Sequence, residues 1–263
     1  DQRKIAMNIG RGKAEVQISN ERGKYDINAI PDDMLRRLIG RLGVKETERD
    51  IITDSILDWR DDTKLHRING AEDDYYESLA KPYPCKDASF ETVEELLLVR
   101  GVTPSIFYGC YTTGEEEETT WRKGLVDLVT VYSRSTRVDA NTAPEEVLSS
   151  INGLNEEDAQ KIVEARKDEP FKNLNDVRQV LGSATYTEAS KFLTISSSSI
   201  YAIIATGSIE DSGVQRRVKG IIRINLRDED KFQVIYWADD YPIAENIVSL
   251  NWNIWEKQEE ESL

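Results

Sequence analysis

Histidine occurs once in the 263 residues, cysteine and methionine twice each, and phenylalanine five times. These scarcities close off several kinds of chemistry. With His66 as the only imidazole, a Ser-His-Asp triad has one place to be built, and a histidine-rich metal centre has none. His66 sits in a polar stretch and is expected to face solvent rather than a metal. Cys85 and Cys110 cannot make a zinc site by themselves, and no Cys-x-x-Cys occurs. They could form one disulfide, closing a loop of about 25 residues and worth on the order of 3 kcal/mol in an oxidising compartment. The alternative is two free thiols. Long apolar runs are also missing. Ile200 to Ala205 is strand-sized, far short of the roughly 18 residues of a membrane span. No signal peptide opens the chain, and Asp1-Gln2-Arg3-Lys4 reads as a cut end.

Positive charge is the other deficit. Thirty-four Lys+Arg stand against 49 Asp+Glu, a formal net charge of -15. That excess repels phosphate backbones and anionic headgroups, whose binding depends on basic patches. A protein-contact module, a cation binder or an enzyme remains. Catalytic signatures are absent: no Gly-x-Ser-x-Gly, His-Glu-x-x-His or Gly-x-Gly-x-x-Gly occurs. Gly10-Arg11-Gly12-Lys13 lacks the spacing and trailing Ser/Thr of a phosphate loop.

What is present falls into three zones. Ala14 to Ser19 alternates with period two, Asn20-Glu21-Arg22-Gly23 supplies turn chemistry, and Lys24 to Ile30 alternates again, which predicts a hairpin. Residues 31–196 read as helical. Pro31 fits a first helical turn, with Met34, Leu35, Leu38, Ile39 and Leu42 at helical spacing and Gly43 as the stop. Ile51, Ile52, Ile56 and Leu57 mark a second helix up to Trp59. Thr92 with Glu95, and Thr142 with Glu145, have capping-box spacing. Four consecutive glutamates between Gly114 and Thr120 predict a solvated loop. The third zone returns to strands over 201–206, 214–225 and 232–238, separated by turns at 210–213 and 227–230, before an acidic tail at 256–263. The economical topology is an α+β fold. Residues 1–30 and 197–263 form an antiparallel body, and residues 31–196 form an inserted all-α domain.

Within the helical block, Leu96-x-x-Val99-x-Gly101-Val102-Thr103 is similar to Leu148-x-x-Ile151-x-Gly153-Leu154-Asn155. In each, an apolar helix ends at a glycine and a Thr or Asn caps the next helix. The second copy reads as a helix-hairpin-helix, a unit often bound to DNA phosphates. Here, however, Asn155 occupies the second glycine position, and Glu156, Glu157 and Asp158 fill the place an anion would take. From Pro144 to Gly182 there are five Lys/Arg and nine Asp/Glu, a local net of -4. A structural or protein-contact hairpin is expected, with a DNA-binding helix-hairpin-helix protein as the alternative.

Acids also gather at Asp58-Trp59-Arg60-Asp61-Asp62 and Glu72-Asp73-Asp74. Close carboxylates repel by about 1 kcal/mol per pair even in water. Ca²⁺ removes that cost, because it accepts six to eight oxygens in irregular geometry. The pattern is not an EF-hand, and a solvated helix end followed by a polar loop explains it equally. A carboxylate-only hydrolase is a further reading.

Five segments in order, Gly23 to Ala29, Leu57 to Asp61, Gly70 to Tyr75, Glu94 to Thr103 and Asn141 to Leu148, resemble the K minor pseudopilin family of the type II (general) secretion system. The resemblance implies a pilin-like sheet with a large inserted helical domain and a periplasmic location. It also implies an inner-membrane anchor through a hydrophobic helix before residue 1, and no enzymatic activity. It further implies a place at the tip of the pseudopilus with the I and J minor pseudopilins, and contact with secreted proteins or the outer-membrane channel. Bound calcium is implied as well. Asp58, Asp61, Glu72 and Asp73 match the motif positions, and Asp62 stands beside Thr63, where the family pattern has its next acid.

Overall fold

The computed structural model describes residues 3–113, 119–196, 199–209, 212–225, 227 and 231–242. The glutamate-rich loop expected at 115–118 and the acidic tail expected at 256–263 lie outside them. In chain order come β1 (Arg3–Ile9), β2 (Gly12–Asn20), β3 (Tyr25–Asp26), α1 (Asp32–Gly40), α2 (Glu46–Arg60), α3 (Asp73–Tyr76), a 3-10 segment (Val93–Leu98), α4 (Pro104–Tyr108), β4 (Gly109–Thr113) and β5 (Thr119–Lys123). There follow α5 (Leu125–Leu128), β6 (Val129–Thr130), β7 (Val138–Asp139), α6 (Glu145–Ser150), α7 (Glu156–Asp168), α8 (Leu174–Leu181), α9 (Ser183–Ala189), β8 (Leu193–Thr194), β9 (Ile200–Ile209), β10 (Gln215–Ile224) and β11 (Phe232–Ala238). Two compact units result, residues 1–20, 108–122 and 199–263 in one and residues 21–107 and 123–198 in the other.

The first unit is built on a five-stranded antiparallel sheet in the order β1-β2-β9-β10-β11. Its long strands follow the period-two patterns at 200–209, 215–224 and 232–238. The hairpin at its start differs from the expected one. Gly12–Asn20 pairs with Arg3–Ile9 across a turn at Gly10, which has φ +59, and not with residues 24–30. Cross-strand rows place Ile5, Val16, Ala205 and Val218 on one face, together with Ile18, Ile203, Gly220 and Trp237. Ile222 with Val234 and Ile224 with Phe232 extend that face. It is apolar and open: Met7 is 44% exposed, Trp237 57% and Phe232 60%.

The second unit takes in residues 21–30, because Tyr25 and Asp26 pair in parallel with Val129 and Thr130. Tyr25 and Ile27 are fully buried there. Buried Asp26 accepts from the Asn28 and Arg134 backbone N–H groups, so the segment bends into the helical core instead of continuing a hairpin. The division therefore falls after residue 20, not after residue 30. Helix α1 buries Met34, Leu35, Leu38 and Ile39, while Asp32 and Asp33 favour its N-terminal dipole. Arg36 ties it to α2 through Asp50 at 2.5 Å and Asp54 at 2.7 Å. The unit is not purely helical, since β3 with β6 and β7 with β8 form two short parallel ladders.

Glu95 accepts from the Thr92 N–H at 3.0 Å, as a capping box requires. The second predicted box is absent. Pro144 precedes α6 without a side-chain cap, and the Thr142 hydroxyl donates to Asp139 at 2.9 Å. Both glycine turns of the internal similarity have positive φ, +80 at Gly101 and +87 at Gly153. Asn155 caps α7, accepting from the Asp158 N–H at 2.9 Å. The hairpin carbonyls are already occupied. Arg37 donates to Ser149 O and Leu154 O, and Arg41 donates to Glu156 and Ser149 O.

Candidate metal centre

The acidic segments converge where α2 ends. The α2 pattern that buries Ile52, Ile56 and Trp59 also turns Asp58 inward, and its side chain is fully buried. A charge so placed needs a partner. Arg67 supplies it, with its guanidinium 2.7 Å from both Asp58 and Asp61 and its backbone N–H 3.1 Å from Asp58 Oδ2. Burial raises the Asp58 carboxyl above its usual range, against the pull of Arg67. At Asp61 burial is outweighed by the bonds from Arg67 and Thr63, and its carboxyl is lowered. Gly70 is required beside this pair, because a Cβ there would lie 1.7 Å from Asp58 Oδ2. Asp58 and Asp61 are thus spent on an arginine. Asp62 is exposed, and so is His66.

Glu72 joins a different group, which Asp73 borders. Glu72 sits just before α3, 3% exposed, and neither carboxylate oxygen meets a hydrogen-bond donor. It faces Cys85 and Asp87, whose ligand atoms lie with its own within 4.8 Å of one another. Burial, followed by the nearness of Asp87, pushes the Glu72 carboxyl up to about 7. Burial also pushes the Cys85 thiol up to about 12, so it stays neutral. Asp73 flanks the group, accepting from the Cys85 N–H at 2.8 Å through one oxygen and from Lys64 Nζ at 2.8 Å through the other. Lys64 also donates to Asp87 Oδ2, while Asp87 Oδ1 is buried without a donor.

An aromatic cluster fixes these segments. Trp59 meets Tyr76 edge-on at 5.1 Å, and Tyr76 stacks on Tyr83 at 5.5 Å. Arg100 donates to Gly70 O at 3.1 Å and lies 4.7 Å over the Tyr75 ring. The loop carrying Cys85 and Asp87 is therefore held against the start of α3.

Of the five residues expected to bind a cation, Glu72 alone falls, among the described residues, in the group of close ligand atoms; Asp73 borders that group through the Cys85 N–H and Lys64, Asp58 and Asp61 pair with Arg67, and Asp62 is exposed. Asp87 was not foreseen. The one signal in its neighbourhood is Cys85, for which the sequence leaves a bridge to Cys110 and a free thiol both open. That bridge is not made: Cys85 and Cys110 are free thiols, in different compact units, and Cys85 is buried beside Glu72. Cys110 instead accepts from Arg122 at 3.1 Å.

Both matching family models fall mainly on the second unit. Residues 16–108 match the family model described as type II secretion system (T2SS), protein K, and residues 133–194 match that of the helix-hairpin-helix motif. A type II secretion system protein K of Pseudomonas aeruginosa is 26% identical over 240 residues, covering 82% of this chain and 65% of that protein. One from Aeromonas hydrophila is 40% identical over 88 residues, covering 33% of this chain and 25% of that protein. The chain thus spans less than two thirds of the length of these curated relatives. In three dimensions it is similar to a chain of the GspK-GspI-GspJ complex of the enterotoxigenic Escherichia coli type 2 secretion system. The TM-score is 0.67 at 14% identity, over 91% of this chain and 84% of that one. Among the described residues, no helix is long and apolar enough to cross a membrane.

Proposed function

We propose that this chain, which matches the type II secretion system protein K model over residues 16–108, is a member of that family and a non-enzymatic structural subunit at the tip of the secretion pseudopilus. There it joins I- and J-type minor pseudopilins in the periplasm and supports export of folded proteins across the outer membrane. One observation carries the reading: the likeness in fold, across 91% of the chain, is to a chain from a complex of K, I and J subunits. The open apolar face of the five-stranded sheet agrees with life in an assembly, since soluble monomers rarely leave so continuous a patch bare. The decisive experiment is reconstitution with I- and J-type minor pseudopilins, read by light scattering. A stable ternary complex supports the proposal, and a chain that stays monomeric in their presence overturns it.

The helix-hairpin-helix gains no support as a DNA reader. The Asp158 N–H at the start of α7 is taken by Asn155, and three acids open the helix where a phosphate would sit.

Calcium belongs to the same reading. The donor set fits a hard divalent cation: Glu72 and Asp87 offer three buried oxygens with no donor, and Asp73 stands beside them. Such a desolvated acid pair is costly without a counter-ion. Glu72 and Asp87 would hold the ion, with neutral Cys85 beside them and Asp73 at the edge of the site. The ion would supply charge neutralisation, tying the start of α3 to the segment around Asp87. Calcium should therefore raise the melting temperature over that in chelator. Binding at a hundredfold excess over Kd adds about 2.7 kcal/mol, and an unchanged transition at millimolar Ca²⁺ removes the metal from the reading.

A further inference from the structure

The pocket already holds a cation, and it is part of the chain. Lys64 Nζ lies 2.8 Å from Asp73 Oδ2 and also bonds Asp87 Oδ2. Asp87 is one of the carboxylates a divalent ion would claim, and Asp73 borders the site through the Cys85 N–H. A second and independent observation points to a ligand there: Glu72, 97% buried, aims both oxygens into the group with no donor to meet them. Lys64 does not satisfy Glu72 and leaves Asp87 Oδ1 bare. The ammonium brings one charge to three carboxylates, and its hydrogen-bond partners are Asp73 and Asp87 alone.

Lys64 is also placed to leave. Its side chain is 64% exposed, and residues 62–66 are all exposed, so withdrawal disturbs no core packing. The flanks of the segment are tied down independently. Thr63 bonds Asp61 through its N–H and hydroxyl at 2.9 and 2.8 Å, and Arg67 is locked to Asp58 and Asp61. Between these anchors the Lys64 side chain reaches Asp73 and Asp87. The same segment presents Leu65, 83% exposed, and Ile68, 96% exposed. Exposed ion pairs contribute little individually, so exchanging one for a divalent ion on the same oxygens is favourable.

We propose that Lys64 is a built-in competitor for the divalent-cation site, sharing Asp87 with the ion, and that ion binding expels its ammonium and frees the Lys64–His66 stretch. The inference rests on the calcium reading above and adds a residue that sets the affinity of the site and links its occupancy to a surface segment.

The test is calorimetric titration of the full chain, stripped with chelator, with Ca²⁺ alone at fixed ionic strength. It compares wild type, Lys64→Met, Lys64→Gln and Asp87→Asn. Amide hydrogen exchange over residues 63–68 is measured with and without Ca²⁺. Both Lys64 variants should bind about tenfold tighter, the scale expected when one unit charge is removed near a divalent ion in a water-rich setting. Asp87→Asn should lose binding. Ca²⁺ should speed exchange at 64–66 in wild type and leave it unchanged in Lys64→Met. Equal affinities in wild type and both Lys64 variants overturn the competition while leaving the metal site intact. Weaker binding in the variants shows Lys64 to be a support of the site and also overturns it. No Ca²⁺ bound by any form removes the metal site and the competition together.

Discussion

At the scale of single residues, the carboxylates around α2 and α3 divide by partner. Asp58 is neutralised inside the protein by Arg67, whereas Glu72 is buried with no donor. The two should respond differently to calcium. Asp58→Asn weakens one of the two charged hydrogen bonds of Arg67, with Asp61 keeping the other, and should cost about 2 kcal/mol with or without Ca²⁺. Asp87→Asn should lower the melting temperature only when Ca²⁺ is present. Calorimetric melting of both variants in chelator and in calcium separates the cases. Glu72 adds a pH signature. Its carboxyl titrates near 7 in the fold, against 4.5 ordinarily. Between these values the folded chain holds a proton that the unfolded chain has released. The stability contributed by protonated Glu72 is complete below about 4.5 and is lost as pH rises through 7. In chelator the melting temperature should fall across that window, and Glu72→Gln should flatten the fall. An unchanged slope in Glu72→Gln would show that the decline arises elsewhere.

At the scale of elements, β9, β10 and β11 were readable because one side of each strand is apolar and the period is two. The opening hairpin was misread, although Ile5, Met7 and Ile9 alternate with Lys4, Ala6 and Asn8 and run into Gly10. Gly10 to Lys13, which lacks the spacing of a phosphate loop, is the turn and first rung of that hairpin. The alternation at Tyr25 and Ile27 was genuine but local, because buried Asp26 caps the chain into a bend and both faces are covered. Asp87 was invisible for a similar reason. It lies beyond the acidic segments in sequence, and a loop stapled by Trp59, Tyr76 and Tyr83 brings it to Glu72. The glycine turns were legible as helix ends, and their geometry yields a graded prediction. Gly101 and Gly153 have positive φ, and an added Cβ would sit 2.9 Å from Ile52 and 2.8 Å from Glu188 respectively. Gly182 has φ +79 with open space around it. Gly182→Ala should cost about 1 kcal/mol from backbone strain alone, and Gly101→Ala and Gly153→Ala about 2–3 kcal/mol once the clash is added. Urea unfolding that ranked all three equally would contradict the packing of both turns.

At the scale of the whole molecule, the net charge of -15 and the apolar sheet face act in opposite directions. Charge keeps copies apart, while an open face with Trp237, Phe232, Val234 and Met7 at roughly half exposure draws apolar surfaces together. Raising salt screens the first and strengthens the second. The isolated chain should therefore bind a hydrophobic dye and self-associate increasingly with salt. Phe232→Lys combined with Trp237→Lys should suppress both. Both positions lie on β11, an edge strand, with their side chains largely in water, so the pair should cost no more than about 1 kcal/mol in strand propensity. Dye fluorescence and sedimentation across a salt series, with melting curves as the control for folding, decide the matter. If the double variant melts normally yet still binds dye and associates as wild type does, the exposed apolar surface driving association is not this sheet.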